Sequence, residues 1–190
     1  MRKITCILLV VGAIWAPRAS AFDGARKGFL LGLGLGFGTA KHSYASIYNF
    51  HPDLNYKESK TEKALMNEWK IGYAPGNQWE IYFTNEDAYF GYEYNTIGIE
   101  ALCITKMSKP SSPSIFYTIG VGVPYWGDIH SWRLGTDNFG ILGGIGYEFH
   151  RHLDLVAEIL YGHRDYYYAG DVIWQARNYS IRITINALAY

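Results

Sequence analysis

Residues 28–38 read GFLLGLGLGFG, and glycine occupies every second position from Gly32 to Gly38. Between the glycines stand Leu33, Leu35 and Phe37. Glycine-rich runs cradle phosphates when they follow Gly-x-Gly-x-x-Gly into a helix, or Gly-x-x-x-x-Gly-Lys-Ser/Thr. Neither spacing is met: counting from Gly32 and Gly34 the third glycine falls on Phe37, and counting from Gly34 and Gly36 it falls on Thr39. A helix would carry four interior glycines, each costing about 1 kcal/mol against alanine. A β-strand accounts for every position. Phe29, Leu31, Leu33, Leu35 and Phe37 share one face, and the glycines share the other. The stretch therefore asks for an environment with one greasy wall and one crowded wall.

The same two-residue period recurs along the chain. Trp69, Ile71 and Tyr73 oppose Glu68, Lys70 and Gly72; after the turn Ala74–Gln78, Trp79, Ile81 and Phe83 oppose Glu80, Tyr82 and Thr84. Ile97, Ile99, Ala101 and Cys103 oppose Gly98, Glu100 and Leu102. Ile115, Tyr117, Ile119, Val121 and Val123 oppose Phe116, Thr118, Gly120 and Gly122. Phe139, Ile141, Ile145, Tyr147 and Phe149 oppose Gly140, Leu142, Gly144, Gly146 and Glu148. Leu153, Leu155, Ala157, Ile159 and Tyr161 oppose Asp154, Val156, Glu158 and Leu160. Tyr179, Ile181, Ile183 and Ile185 oppose Ser180, Arg182, Thr184 and Asn186. With the first stretch this makes eight strands and no competing helical period. Odd connections are mostly long, as in KHSYASIYNFHPDLNYKES, PYWGDIHSWRLGTD and HRDYYYAGDVIWQ, with the short EDAYFG as exception; even ones, such as APGNQ and HRH, are mostly short. That alternation marks an outer-membrane barrel, with long loops outside and short turns in the periplasm.

The N-terminus agrees. Arg2 and Lys3 precede the apolar ITCILLVVGAIWA, and Ala19-Ser20-Ala21 is a small-x-small cleavage site. This is the pattern of a signal peptide over residues 1–21, too short for a membrane helix. The expected mature domain is residues 22–190. Of 17 basic and 17 acidic residues, the first 21 positions hold Arg2, Lys3 and Arg18, leaving a net charge near −3. No nucleic-acid footprint follows. Cys103 is the sole cysteine after the signal, so no internal disulfide is available.

A soluble barrel would alternate too, with its apolar face inward. The polar face here is Gly, Thr, Ser and isolated charges, not a dense Lys/Glu coat. An eight-stranded interior is filled by side chains, and glycines make room there for Glu68, Lys70, Glu80, Glu100, Glu148, Glu158 and Arg182 to pair. Aromatics gather in two groups: Phe29, Tyr73, Trp79, Tyr117 and Phe149 near the turns, and Tyr125, Trp126, Phe139, Tyr161 and Trp174 near the loops. Two such girdles frame a lipid belt. The expected lipid-facing residues are Phe29, Leu31, Leu33, Leu35, Phe37, Trp69, Ile71, Trp79, Ile81, Tyr117, Ile119, Tyr147, Ile159 and Ile183.

On this pattern, and most closely over GILGGIGYEFHRHLDLVAEILYG, the chain resembles the small eight-stranded outer-membrane barrels, the OmpA-like transmembrane domain and the OmpX-type porin family. The resemblance implies an all-β, antiparallel, up-and-down barrel in a bacterial outer membrane. One departure stands out. Such chains end in an aromatic that continues the lipid-facing alternation, whereas counting back from Tyr190 meets Leu188, Asn186 and Thr184 on the polar face. A bulge or a frayed end would reconcile the two.

Small barrels of this kind include lipid A deacylases and palmitoyltransferases, with a Ser and a His on one rim. The weak candidates here are His130 and Ser131 beside Asp128, and His163 with Asp165. The deacylase pattern His-x-Ser-Asn is absent at His163, where position 165 is Asp. Adjacent His130 and Ser131 would face opposite ways on an extended segment. His150 and His152 flank a turn and lack the further ligands of a metal site. The sequence thus points to a non-enzymatic barrel with no metal or cofactor, a filled lumen and a structural or surface-interaction role through the loops SYASIYNF, YWGDIHSW and DYYYAGDVIW. Outer-membrane lipids and lipopolysaccharide are its expected surroundings, with an unnamed extracellular ligand and a monomeric state. A lipid A-modifying hydrolase and a narrow pore are the alternatives.

Overall fold

The structure, a computed structural model, describes residues 26–48, 52–90, 95–126, 138–168 and 172–190. The expected signal peptide over residues 1–21, His130, Ser131 and Asp128 lie outside the described residues. Eight antiparallel strands close into one barrel in sequence order. They are β1 (Gly28–Tyr48), β2 (Tyr56–Gly76), β3 (Trp79–Phe90), β4 (Asn95–Met107), β5 (Ser114–Trp126), β6 (Phe139–His150), β7 (Leu153–Tyr168) and β8 (Val172–Ala189). β1 pairs with both β2 and β8, which completes the ring.

The register fixes the tilt. The ladder partners run Phe29, Tyr73, Ile81, Ile104, Ile119, Gly143, Ile159, Ile181 and back to β1 at Thr39. One circuit climbs from residue 29 to residue 39, a shear of ten residues. A stagger of this size forces strongly tilted strands and leaves an interior only wide enough for side chains.

Several strands outrun their sequence pattern. The stretch 41–59 is not a long loop: β1 and β2 continue through most of it, separated by a 3-10 turn at Pro52–Leu54. Likewise β3 continues through Phe90, and the 163–175 connection extends β7 and β8. At the other end two of the three turns are tight, the β4–β5 connection over 108–113 being longer. Asn77 and Gln78 join β2 to β3, and Arg151 and His152 join β6 to β7, each beside a register shift.

Burial alternates along every strand. Leu33 and Leu35 on β1, Ile119 on β5 and Ile159 on β7 are 71, 66, 66 and 61% exposed. Leu142, Val156, Tyr82 and Thr184 point inward and are buried. The terminal residue settles the departure noted above. β8 pairs without a register shift to its end. Tyr190 enters the lumen, 1% exposed, and its hydroxyl donates to Glu80. Neither bulge nor fraying is present.

Candidate functional site

The barrel interior is the one place where charge is concentrated away from water among the described residues. Inward positions on β2, β3, β6, β7 and β8 carry Glu68, Lys70, Glu80, Glu86, Glu148, Asp154, Glu158 and Arg182, all buried. Alternation dictates this, because each but Glu86, which lies between Asn85 and Asp87, neighbours an outward apolar residue in sequence.

Near the turn end, Arg26 closes the barrel from below. Its Nε and Nη2 donate to Glu148 at 2.5 and 2.7 Å, and its Nη1 donates to the Asn77 carbonyl at 2.7 Å. Ser112 also donates to Glu148. Asn186 donates to Asp154 at 2.8 Å. One layer higher, Lys70 lies 3.0 Å from Glu68, with its ammonium 5.1 Å from the centre of the Tyr82 ring. The Tyr82 hydroxyl shares hydrogen bonds with Thr105 and Thr118, at 3.2 and 3.0 Å.

At mid-barrel, Arg182 stands opposite Glu158 in the β7–β8 register. Its Nε and Nη2 donate to Glu158 Oε2 at 3.0 and 2.9 Å, and Nη2 also donates to Glu86. Glu68 and Glu86 stand directly opposite each other on β2 and β3. One carboxylate oxygen each from Glu68, Glu86 and Glu158 can be chosen within 4.8 Å of one another. These three carboxylates are the residues that could hold a cation.

Of the expected lumen set, Glu68, Lys70, Glu80, Glu148, Glu158 and Arg182 are brought together inside. Glu100 is not, and this corrects the sequence reading. β4 turns Ile97, Ile99, Ala101 and Cys103 inward, all buried, and exposes Leu102 and Ile104. Glu100 shares their outward face. Bulk decides it: the lumen at Cys103 is already narrow, since a Cβ on Gly120 would stand 2.4 Å from its Sγ. Ala101 and Cys103 fit there, and Leu102 and Ile104 would not. Glu100 instead joins an outer-wall polar patch, paired in register with Asn85. Asn85 donates to the Tyr125 hydroxyl at 2.8 Å, and that hydroxyl donates to Asp87.

Four charged lumen residues escaped the sequence reading, Arg164 among them because it fell in the stretch 163–175 read as a connection. Glu86 fell within a stretch read as connection, although the alternation Glu80, Tyr82, Thr84, Glu86 continues through it. Asp154 was placed on the inward face of β7 without a role. Arg26 precedes the first strand and carried no signal.

The expected lipid-facing residues all point outward. Ile71 is half-buried; the other thirteen are exposed. His163 and Asp165 face outward as well, 3.3 Å apart. Their register partners among the described residues are Phe139, Arg177 and Gln175, none of which offers a hydroxyl nucleophile. His150 and His152 pack ring against ring at 5.6 Å, and the His152 ring is 3.0 Å from the Leu188 carbonyl. In the β1–β2 extension, His42 points into the barrel mouth. Burial lowers its pKa below the ordinary 6.5, with Glu62 and Glu58 opposing and Lys60 assisting.

No protein-family model matches the chain, and no curated protein does. Solved structures do. Neisserial surface protein A matches with a TM-score of 0.48 at 13% identity, over 84% of this chain and 96% of that one. The outer membrane protein OprG from Pseudomonas aeruginosa gives 0.47 at 13%, over 87% and 97%. The outer membrane protein AlkL, solved in lipid bilayers, gives 0.44 at 13%, over 91% and 94%. The likeness is one of fold.

Proposed function

We propose that the chain is an integral outer-membrane β-barrel whose lumen is plugged and whose role, structural or recognitional, lies in the segments that project beyond the membrane. One observation carries this: the barrel is inside out relative to a soluble protein. Leu, Ile, Phe, Trp and Tyr cover its outer wall while Glu, Lys and Arg fill its interior. Water would reject that surface, since soluble chains rarely expose apolar patches beyond a few hundred Å². A bilayer welcomes it, and a closed barrel leaves no unpaired strand edge for lipid to meet. No helix among the described residues is long and apolar enough to cross a membrane.

The buried side chains that crowd the described interior support a plug rather than a pore. A gap near the loop end, lined by Ile97, Pro124, Gly162 and Arg164, measures about 10 Å³, room for one water at most. β1 and β2, at 21 residues each, have about twice the ~9–11 residues a tilted strand needs to cross. The excess forms a hairpin on the loop side, a platform for contact with an extracellular partner.

The test has two parts. Membrane fractionation should recover the chain in the outer membrane as a band whose mobility changes on heating. In planar bilayers the purified protein should show no steady conductance. Recovery as a soluble protein refutes the membrane reading; discrete open-channel steps refute the plug.

A further inference from the structure

The geometry points to a binding site for a hard divalent cation of the Ca²⁺ and Mg²⁺ class at the centre of the lumen, held by Glu68, Glu86 and Glu158. The inference goes beyond the role of the projecting segments and stands whatever they bind.

Three independent observations converge. The first is position. Glu68 and Glu86 are direct cross-strand partners, both inward and both buried. Like charges directly opposite are destabilising. Glu158 then brings a third carboxylate to the same place.

The second is charge. Between the Arg26–Glu148 pair at the turn end and Arg164 towards the loops, the buried acids are Glu68, Glu80, Glu86, Asp154 and Glu158, against Lys70 and Arg182. If all five ionise, five against two leave three uncompensated negative charges in a water-poor interior. Buried charges are tolerated when paired or when they coordinate metals. A divalent cation reduces the excess to one.

The third is hydrogen bonding. Arg182 and Lys70 occupy one oxygen of each carboxylate, while Glu68 Oε2, Glu86 Oε1 and Glu158 Oε1 have no partner among the described residues. Asn186 Oδ1 is buried without a partner too. It fills the space over Gly34, where an added Cβ would lie 1.9 Å from it and 3.3 Å from the Glu68 Cβ. All four orphans are acceptors. A water could donate to them but would not offset the charge. Carboxylate and amide oxygens are the donor set that hard cations take.

The full chain, refolded in detergent after stripping with EDTA, is the material for the test. Its unfolding midpoint is read against added Ca²⁺ or Mg²⁺, and bound metal is counted after desalting. The expected result is a saturable rise of the midpoint with one ion per chain. Glu86→Gln and, separately, Glu68→Gln should raise the half-saturating concentration about tenfold or more, the order found when groups supporting a metal are removed. Asp87→Asn, on the outer wall, should leave the response unchanged. Should one lumen variant fail to fold, the other and the wild-type ion count still decide. A midpoint indifferent to both cations, rising instead as pH falls, would show that protons alone neutralise the cluster and overturn the site. A response lost in Asp87→Asn but kept in the lumen variants would overturn it as well.

Discussion

Arg182 holds two carboxylates on one guanidinium, through Nε and Nη2 to Glu158 and through Nη2 to Glu86. Removing it strands both acids in the interior. Breaking a buried pair from one side costs about 3–5 kcal/mol, because the remaining charge is left uncompensated. Glu158→Gln removes a charge from the side already in excess and keeps an oxygen for Arg182 to meet. With divalent cations chelated, Arg182→Met should therefore lose about 3–5 kcal/mol in urea unfolding, and Glu158→Gln clearly less. The reverse order would mean that the lumen is short of acids, not cations.

At the level of the strand, β1 shows why its small residues lie where they do. A Cβ added to Gly36 would stand 2.2 Å from the Ile183 carbonyl oxygen and 2.8 Å from the Thr184 Cα. These are backbone atoms, so no side chain can swing aside. Gly143 on β6 is the contrast: its nearest neighbour would be the Thr118 carbonyl at 3.9 Å, on the outward face. Gly36→Ala should lower the unfolding free energy by about 1–3 kcal/mol through forced overpacking. Gly143→Val should be neutral or stabilising, since glycine inside a strand is a conformational cost. Equal losses at both sites would mean that glycine serves curvature here and not space. The alternation was legible in the sequence because each of these strands contrasts a greasy face with a small or polar one. β4 failed where that contrast failed: Gly98, Glu100, Leu102 and Ile104 mix an acid with large apolar groups, and side-chain volume outweighed the single charge. The end of β3 failed for a different reason, since Glu86 and Asp87 resemble turn residues until the register with β4 is known. Tyr190 was misjudged because the lumen floor, built by Glu80, cannot be seen from the strand that ends there.

For the molecule as a whole, the ten-residue climb around the barrel ties the height of every outward residue to one helical track. Along β1 the apolar outward run stops at Phe37, after which Thr39, Lys41 and Ser43 follow. On the proposed membrane reading, Phe29 to Phe37 spans the hydrocarbon, with Leu33 and Leu35 well inside it. Leu35 is 66% exposed, so an arginine there meets no protein clash. Its cost is desolvation by lipid, about 2–4 kcal/mol near the midplane and close to zero at the interface. Bilayer thickness separates this cost from one arising within the protein. In a thinner bilayer the guanidinium of Leu35→Arg comes nearer to water and snorkels more easily, so part of the lost stability should return. Gly36→Ala, one residue along, clashes with the backbone of β8 and should respond no more than the wild type does. Unfolding free energies of both variants, each measured against wild type in short-chain and long-chain lipid vesicles, test the arrangement. Recovery of Gly36→Ala without recovery of Leu35→Arg would mean that β1 faces the other way, and that the apolar wall of this barrel is not the one that meets the membrane.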